Sequence, residues 1–143
     1  MHDLPPERLE ALRAFSRTAP FNVLFGIEIV HAAIGAAELS MPWRIEAGQY
    51  AGFLHAGLIG ALIDTACGCA AATITGPVLA SHYSVNCLRP AVGERFVARA
   101  RVVKAGRTQV FTSAELFAVV GTKERLVANG ETLLSVVAAS GQA

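Results

Sequence analysis

The sequence predicts an α+β fold in which a curved antiparallel sheet of about six strands wraps around one long buried helix. Three observations carry this prediction. Residues 56–73 are rich in Ala and Leu and apolar nearly all round, which is typical of a helix without a solvent-facing side. Two strand-like runs precede this segment and four follow it. The separators between the later runs each contain Gly, as antiparallel turns commonly do.

The first element is a short amphipathic helix, predicted over residues 5–17. Pro5 and Pro6 supply a start signal, and Leu9, Leu12 and Phe15 recur at helical spacing. The tripeptide at residues 18–20 ends this helix.

Residues 23–45 predict two strands joined by a short turn at residues 33–35. Alternation places four side chains on one side, Leu39, Met41, Trp43 and Ile45, and four on the other, Glu38, Ser40, Pro42 and Arg44. A glycine-punctuated loop over residues 46–52 leads into the central helix. Beyond that helix we expect strands over residues 79–88, 95–104, 109–119 and 125–137.

Length and composition predict one domain over residues 1–143 that assembles with copies of itself. The chain is 53% hydrophobic and only 16% charged, whereas soluble domains average about 45–50% and about 25%. A monomer of this size has difficulty hiding so much apolar surface. We therefore expect a homo-oligomer.

Charge and targeting signals predict a cytoplasmic protein. The formal charge of +1 creates no general attraction to nucleic acid or acidic membranes. The N-terminus resembles no signal peptide. The long uncharged run over residues 65–88 is interrupted by Gly76, Pro77 and a polar cluster, which argues against a membrane span. Three cysteines without a C-x-x-C spacing predict no metal site.

One residue in the central helix indicates chemistry. Asp64 is the only Asp, Glu, Lys or Arg between Glu46 and Arg89. A carboxylate in such surroundings tends to shift its pKa upward, gain partners or serve a function. Near a cleft it can act as a general base or a nucleophile. An acid satisfied by nearby donors or by a subunit interface explains the same pattern equally well.

The helical face around Asp64 carries no bulk. At about 100° per residue, six small residues lie within about 60° of Asp64: Gly57, Gly60, Ala61, Cys67, Gly68 and Ala71. The opposite face carries Leu58, Ile59 and Leu62, which suit a core. The small face leaves room for a substrate chain or for the backbone of a partner subunit.

The start of the helix predicts an oxyanion site. We expect the N–H groups near Ala56 and Gly57 to be unpaired first-turn donors at the positive end of the helix dipole. Such donors can hold a thioester carbonyl and the oxyanion formed from it. They precede Asp64 by seven to eight residues, about 10–12 Å at 1.5 Å per residue. One carbonyl cannot meet both, so we expect the acid to come from another subunit.

Together, these motifs resemble the PaaI-type hotdog-fold thioesterases, a family named for phenylacetate degradation. The resemblance covers residues 21–137. It rests on Gln49, then His55-Ala56-Gly57, then Asp64, on Val85-Asn86-Cys87-Leu88-Arg89-Pro90-Ala91, and on Gly106-Arg107-Thr108.

This resemblance implies a hotdog dimer that pairs its sheets edge to edge, often doubled to a tetramer. It implies active sites at the subunit interface and acyl-CoA hydrolysis without a metal or organic cofactor. By position, Asp64 matches the nucleophile or general base and the Ala56 N–H matches the oxyanion donor. Gln49 matches an amide that positions water or the carbonyl, and His55 supports that loop.

The chain departs from the family pattern at two positions. The usual H-G-G is His55-Ala56-Gly57, and an Ala keeps the backbone donor. A Ser or Thr often stands at the position of Ala80, which has no hydroxyl. Ser81 and His82 are the nearby candidates for that polar role.

Arg89 and Arg107 are the preferred candidates for binding the CoA phosphates, because both lie in loops beside the motifs. Together with Arg95, Arg99, Arg101 and Lys104, they form the one basic cluster of the sequence. Arg95, Arg99 and Arg101 suit an exposed strand face at least equally well. The cluster lacks aromatic interleaving, and no nucleic-acid module is visible.

Two other functions remain open. Hotdog dehydratases resemble a pattern with His five residues after Asp, but Cys69 stands there. A non-catalytic acyl-CoA-binding module of the same fold is favoured by Ala80. The sequence does not specify the acyl group, and it leaves dimer and tetramer open.

Overall fold

The computed structural model describes residues 2–137, so the ends of the predicted domain, residue 1 and residues 138–143, lie outside the described residues. The described part contains three α-helices, a 3₁₀ turn and six strands. In chain order these are α1 (Pro6–Ser16), α2 (Pro20–Phe25), β1 (Glu28–Ala33), β2 (Ala36–Pro42), the 3₁₀ turn (Ile45–Ala47), α3 (Ala56–Thr75), β3 (Val78–Cys87), β4 (Arg95–Ala105), β5 (Gln109–Val120) and β6 (Lys123–Val136).

The six strands form one antiparallel sheet in the order β1-β2-β4-β5-β6-β3. Helix α3 packs across one face of this sheet and contacts all six strands. This is the hotdog architecture, and the predicted fold class is confirmed. The central helix runs to Thr75, two residues beyond the predicted end.

The core lies between α3 and the sheet. Leu62, Ile63 and Ala66 of α3 are fully buried, as are Leu39 of β2 and Phe96 of β4. Each large apolar side chain buried in this way contributes about 1.5–3 kcal/mol to folding. By length and composition alone α3 could also cross a bilayer, but 56% of the apolar window is buried inside the fold. The hydrophobicity of this helix is therefore that of a core element.

Two predictions for the N-terminal third are wrong. Residues 20–25 form α2, whereas alternation predicted strand from residue 23; β1 begins only at Glu28. Ile45 does not continue the buried row of Leu39 and Met41, because β2 ends at Pro42 and Ile45 lies in the 3₁₀ turn with 79% of its surface exposed.

The two edges of the sheet differ. The N-terminal segment covers β1: Leu4 N–H donates to the Ala32 carbonyl (3.3 Å), and Ile34 N–H donates to the His2 carbonyl (2.9 Å). In contrast, β3 pairs only with β6 within the described chain, and eight of its ten residues are exposed. An open edge of this length is a template for pairing with another strand.

Candidate active site

The first turn of α3 presents one free donor. His55 is the N-cap, and its Nδ1 accepts a hydrogen bond from the Gly57 N–H (2.8 Å). The backbone N–H of His55 donates to the Ala47 carbonyl (2.9 Å), which anchors the turn. The expectation that both first-turn donors are unpaired is therefore wrong for Gly57. Across residues 2–137, the Ala56 N–H has no hydrogen-bond partner.

Gln49 closes the loop in front of α3. Its N–H donates to the Phe53 carbonyl (2.8 Å), and its own carbonyl accepts from the Gly52 N–H (2.9 Å). The side-chain Oε1 accepts from the N–H groups of Ala51 and Phe53. Since the carbonyl end of the amide is engaged by the loop, its NH₂ end is the donor left for a ligand.

A groove of about 440 Å³ brings several predicted residues together. Gln49, His55, Ala56 and Arg89 line it. Tyr50, whose side chain is fully exposed, stands on its rim. The groove therefore combines the free Ala56 donor, an amide and a guanidinium. Asp64 and Arg107 are not among its lining residues, and Arg107 lies in the turn between β4 and β5.

Asp64 lies on α3, two turns beyond this groove. Its Oδ1 is buried and has no hydrogen-bond partner within the described chain. Burial raises the pKa of the carboxyl above its ordinary value, because the charged form loses solvation without gaining a donor. Within residues 2–137, no donor satisfies this oxygen. Asp64 is therefore a candidate to accept a hydrogen bond from a group outside the described chain.

The small face around Asp64 is only partly open. Gly60, Cys67 and Ala71 are buried, while Gly57 is exposed and Ala61 and Gly68 are partly exposed. On the opposite side, Ile59 and Leu62 are core residues as expected, but Leu58 is only partly buried. An open strip along α3 thus passes Asp64 and continues towards the C-terminal half of the helix.

Tyr83 is a candidate residue that the sequence reasoning missed. It lies on β3 opposite buried Thr132, so its side chain points towards α3. A Cβ at Gly60 would lie 3.4 Å from the Tyr83 hydroxyl and 3.1 Å from its ring. Asp64 follows Gly60 by one helical turn, so the phenol lies beside the Asp64 face. The one available signal was a glycine within a helix, which often marks close approach by a large neighbour.

The other polar residues of β3 point elsewhere. A bulge between Ala80 and His82 changes the alternation of the strand. Ser81 Oγ is 2.5 Å from Ser135 Oγ. His82 lies opposite Leu133, on the sheet face away from Tyr83. Within one chain, neither Ser81 nor His82 is placed beside α3.

The cysteine thiols near Asp64 suit packing and not nucleophilic chemistry. Burial raises the pKa of Cys69 to about 12, with nearby negative charge adding to the shift. Burial likewise raises the pKa of Cys67. Both remain protonated near neutral pH, and a thiol is a weak nucleophile in that form. Asp64 is therefore the stronger candidate for the reacting group on this helix.

Comparison with known proteins places the chain in one family. The family model of the Thioesterase superfamily matches residues 51–124. A thioesterase family protein from Silicibacter pomeroyi is 36% identical over 88% of this chain and 95% of its own, with a TM-score of 0.84. A protein from Thermus thermophilus is 27% identical over 83% and 98%, with a TM-score of 0.73. A Haemophilus influenzae thioesterase shares the fold at 24% identity, over 96% and 95%, with a TM-score of 0.82. Among curated proteins none matches the chain.

Proposed function

Because the chain belongs to the Thioesterase superfamily and is a thioester hydrolase, we propose that it hydrolyses acyl-CoA to a free acid and CoA. The observation that carries the proposal is the pair of unused polar groups on α3. Among the described residues, Asp64 offers a buried oxygen that no donor reaches, and Ala56 offers an N–H that no acceptor reaches. A thioester carbonyl and an attacking water supply what each of them lacks.

In the proposed reaction, the thioester oxygen accepts from the Ala56 N–H, and the Gln49 NH₂ group supports it. His55 holds this donor in place by capping the helix through Gly57. Asp64 either takes a proton from water, which then attacks the carbonyl carbon, or attacks that carbon itself to form a mixed anhydride that water then hydrolyses. In both routes the C–S bond breaks, one water is consumed to give the free acid and restore Asp64, and the thiolate of CoA takes up a proton. The raised pKa of Asp64 makes it a stronger base than an exposed Asp.

One site draws on two subunits in this proposal. Ala56 and Asp64 are eight residues apart on one helix, about 12 Å, and the groove at Ala56 does not include Asp64. A dimer that pairs its open β3 edges provides a second copy of α3. We infer a homodimer, or a tetramer of two such dimers, as the working form.

CoA binding is proposed for the groove at Ala56. Arg89 supplies a guanidinium for phosphate there, and Gly57 leaves the backbone accessible. Arg107, Ser81 and His82 are outside this groove and could reach CoA only across an interface. Their binding roles stay predictions. We propose likewise that the chain is a single PaaI-type domain, that it is cytoplasmic and that its reaction needs no cofactor.

The test combines two variants, Asp64→Asn and Ala56→Pro. Proline removes the Ala56 N–H, and it is well tolerated at the first helical position. His55 already has φ −62° and ψ 137°, which the residue before a proline prefers. Ala56→Gly is the matched control, since it keeps the N–H. Thiol release from acyl-CoA should fall by about 10²–10³-fold in Ala56→Pro and stay near the wild-type rate in Ala56→Gly.

Mixing the two inactive variants tests the shared site. Subunits unfolded and refolded together in equal amounts should recover about one quarter of the wild-type rate, since half the dimers carry one intact site of two. No recovery despite confirmed mixed dimers would place Asp64 and Ala56 of one chain in the same site. A folded Asp64→Asn protein with the wild-type rate would exclude the catalytic role of Asp64. Binding of acyl-CoA without thiol release would favour a non-catalytic module.

A further inference from the structure

Besides the groove at Ala56, a cleft with two compartments lies between the N-terminal helices and α3. The first compartment has a volume of about 240 Å³ and mainly apolar walls, with Leu12 and Phe15 from α1 facing Thr65, Gly68 and Ala72 of α3. A second compartment of about 230 Å³ continues along α1 and shares Leu12, Phe15 and Ala72 with the first. We call the two compartments together the α1–α3 cleft.

One charged group lines the cleft. Arg8 belongs to the second compartment, whose walls are otherwise mainly apolar, and its guanidinium donates to the Thr73 carbonyl (2.8 Å). No charged side chain is among the described residues that line the first compartment. The first compartment is therefore the part of the cleft in which an apolar group meets no charge.

Gly68 connects this cleft with Asp64. It follows Asp64 by four residues, so the two lie on neighbouring turns of one helix face, about 5–6 Å apart at the Cβ positions. A Cβ at Gly68 would meet no atom of the described residues within 4 Å. Gly68 therefore leaves open space where it lines the first compartment, one helical turn from Asp64, which itself lines neither compartment.

On the basis of the proposed thioesterase function, we propose that the α1–α3 cleft binds the acyl group of the substrate, with its carbonyl carbon towards Asp64. Two other concavities suit this occupant less well. The groove at Ala56 contains Arg89, and the concavity on the outer sheet face is lined by Arg99, Arg101 and Glu115. The acyl group and CoA are then bound by different subunits, because Asp64 and the Ala56 donor of one site come from different chains.

The volume selects the size of the acyl group. A cavity of about 150 Å³ holds benzene, and a water-sized group takes about 30 Å³. The first compartment, about 240 Å³, thus accommodates roughly eight carbon atoms. Octanoyl and phenylacetyl groups both meet this limit. A palmitoyl chain would have to pass Arg8.

The experiment measures kcat/KM for acetyl-, octanoyl-, phenylacetyl- and palmitoyl-CoA with Gly68→Val, Gly68→Ala and Phe15→Ala. We expect Gly68→Val to lower the octanoyl-to-acetyl ratio of kcat/KM at least about tenfold, since methyl-sized changes in an apolar pocket act at this scale. Gly68→Ala should lower the ratio less and raise Tm by a few degrees, because Ala is the better helix former. It therefore separates loss of binding from loss of folding.

Phe15→Ala should shift the preference towards longer chains by opening one wall. Phe15 is 64% exposed, so its truncation should be tolerated. Phe111→Ala is the matched control, an exposed phenylalanine of β5 that lines neither compartment. We expect it to leave the chain-length ratios unchanged. The wild type should prefer octanoyl-CoA or phenylacetyl-CoA over acetyl-CoA and palmitoyl-CoA. Comparing kcat/KM for octanoyl-CoA and phenylacetyl-CoA shows whether the cleft prefers a straight chain or a ring.

Several results would overturn the inference. If the wild type hydrolyses octanoyl-CoA and both Gly68 variants keep its octanoyl-to-acetyl ratio, the acyl group lies elsewhere. A changed oligomer mass with an unchanged ratio would assign the cleft to a subunit contact. If no acyl-CoA is hydrolysed, the affinity for octanoyl-CoA, measured by calorimetry, tests the cleft independently of the hydrolytic function. A lower affinity in Gly68→Val than in the wild type would support the cleft as the acyl site although the hydrolytic function fails. An equal affinity in both proteins would reject the cleft.

Discussion

Replacing Asp64 by asparagine should make the protein more stable and nearly inactive at the same time. The amide has the same shape as the carboxylate but carries no charge. In the wild type, one oxygen of Asp64 is buried with no donor from residues 2–137, and burial raises the pKa of the carboxyl. The ionised carboxylate therefore costs folding free energy that asparagine does not incur.

The sign of the pH dependence follows from proton linkage. A carboxyl whose pKa is higher in the folded state binds its proton more tightly there than in the unfolded chain. The wild type therefore loses stability as the pH rises from the ordinary value of 3.8 through the raised pKa. A buried acceptor without a donor costs about 1–3 kcal/mol. Asp64 is only partly buried, so we expect a penalty at the lower end, about 1 kcal/mol.

The assay is thermal unfolding of wild type and Asp64→Asn at pH values from 4 to 8, with thiol release measured on the same samples. At pH 8, Asp64→Asn should melt about 3 °C higher than the wild type. This difference should shrink as the pH falls towards 3.8. The rate should fall by about 10²–10⁴-fold. Glu115→Gln, which removes an exposed carboxylate on the outer sheet face, is the control and should change neither quantity appreciably.

Two results would refute this reasoning. If Asp64→Asn is less stable than the wild type at pH 8, the carboxylate has stabilising partners and its burial is not a penalty. If Asp64→Asn is more stable but retains the wild-type rate, the carboxylate is buried without being catalytic.

Further predictions concern the surroundings of the site and the sheet. Tyr83→Phe keeps the ring on α3 and should leave Tm unchanged, but thiol release should fall about tenfold if the hydroxyl holds water or substrate; an unchanged rate would contradict that role. Gly130→Ala should cost more than about 2 kcal/mol in urea unfolding, since its Cβ would lie 2.4 Å from the Ser84 carbonyl oxygen. Arg99→Ala should cost less than about 1 kcal/mol. Arg99 lowers the pKa of Glu124, so this cost should shrink as the pH falls below 4.5. The Arg99 guanidinium also lies over the Phe117 ring, 4.9 Å from its centroid, and a cost that does not change with pH would point to this contact instead.

The sequence was informative where one local signal dominates. The apolar composition of residues 56–73 indicated a buried helix, and glycine-containing turns separated β4, β5 and β6 almost at the observed residues. Helix α2 was missed because six residues are too few to establish a helical period. Its boundaries were nevertheless encoded by Pro20 at the start and by Gly26, which ends it with φ 67°.

Sequence alone also singled out Asp64, because a lone charge in an apolar helix is visible without coordinates. Only the tertiary structure decided which groups around it are in use. The Gly57 N–H donates its hydrogen bond to His55, and the Tyr83 ring packs against Gly60. Residues of α1 lie across a cleft from Gly68. These facts depend on contacts between segments distant in the chain, and helical spacing fixes directions on one element without specifying what lies opposite. The sequence thus determined the candidate acid, and the packing of β3, α1 and the helix cap determined which space is left for a substrate.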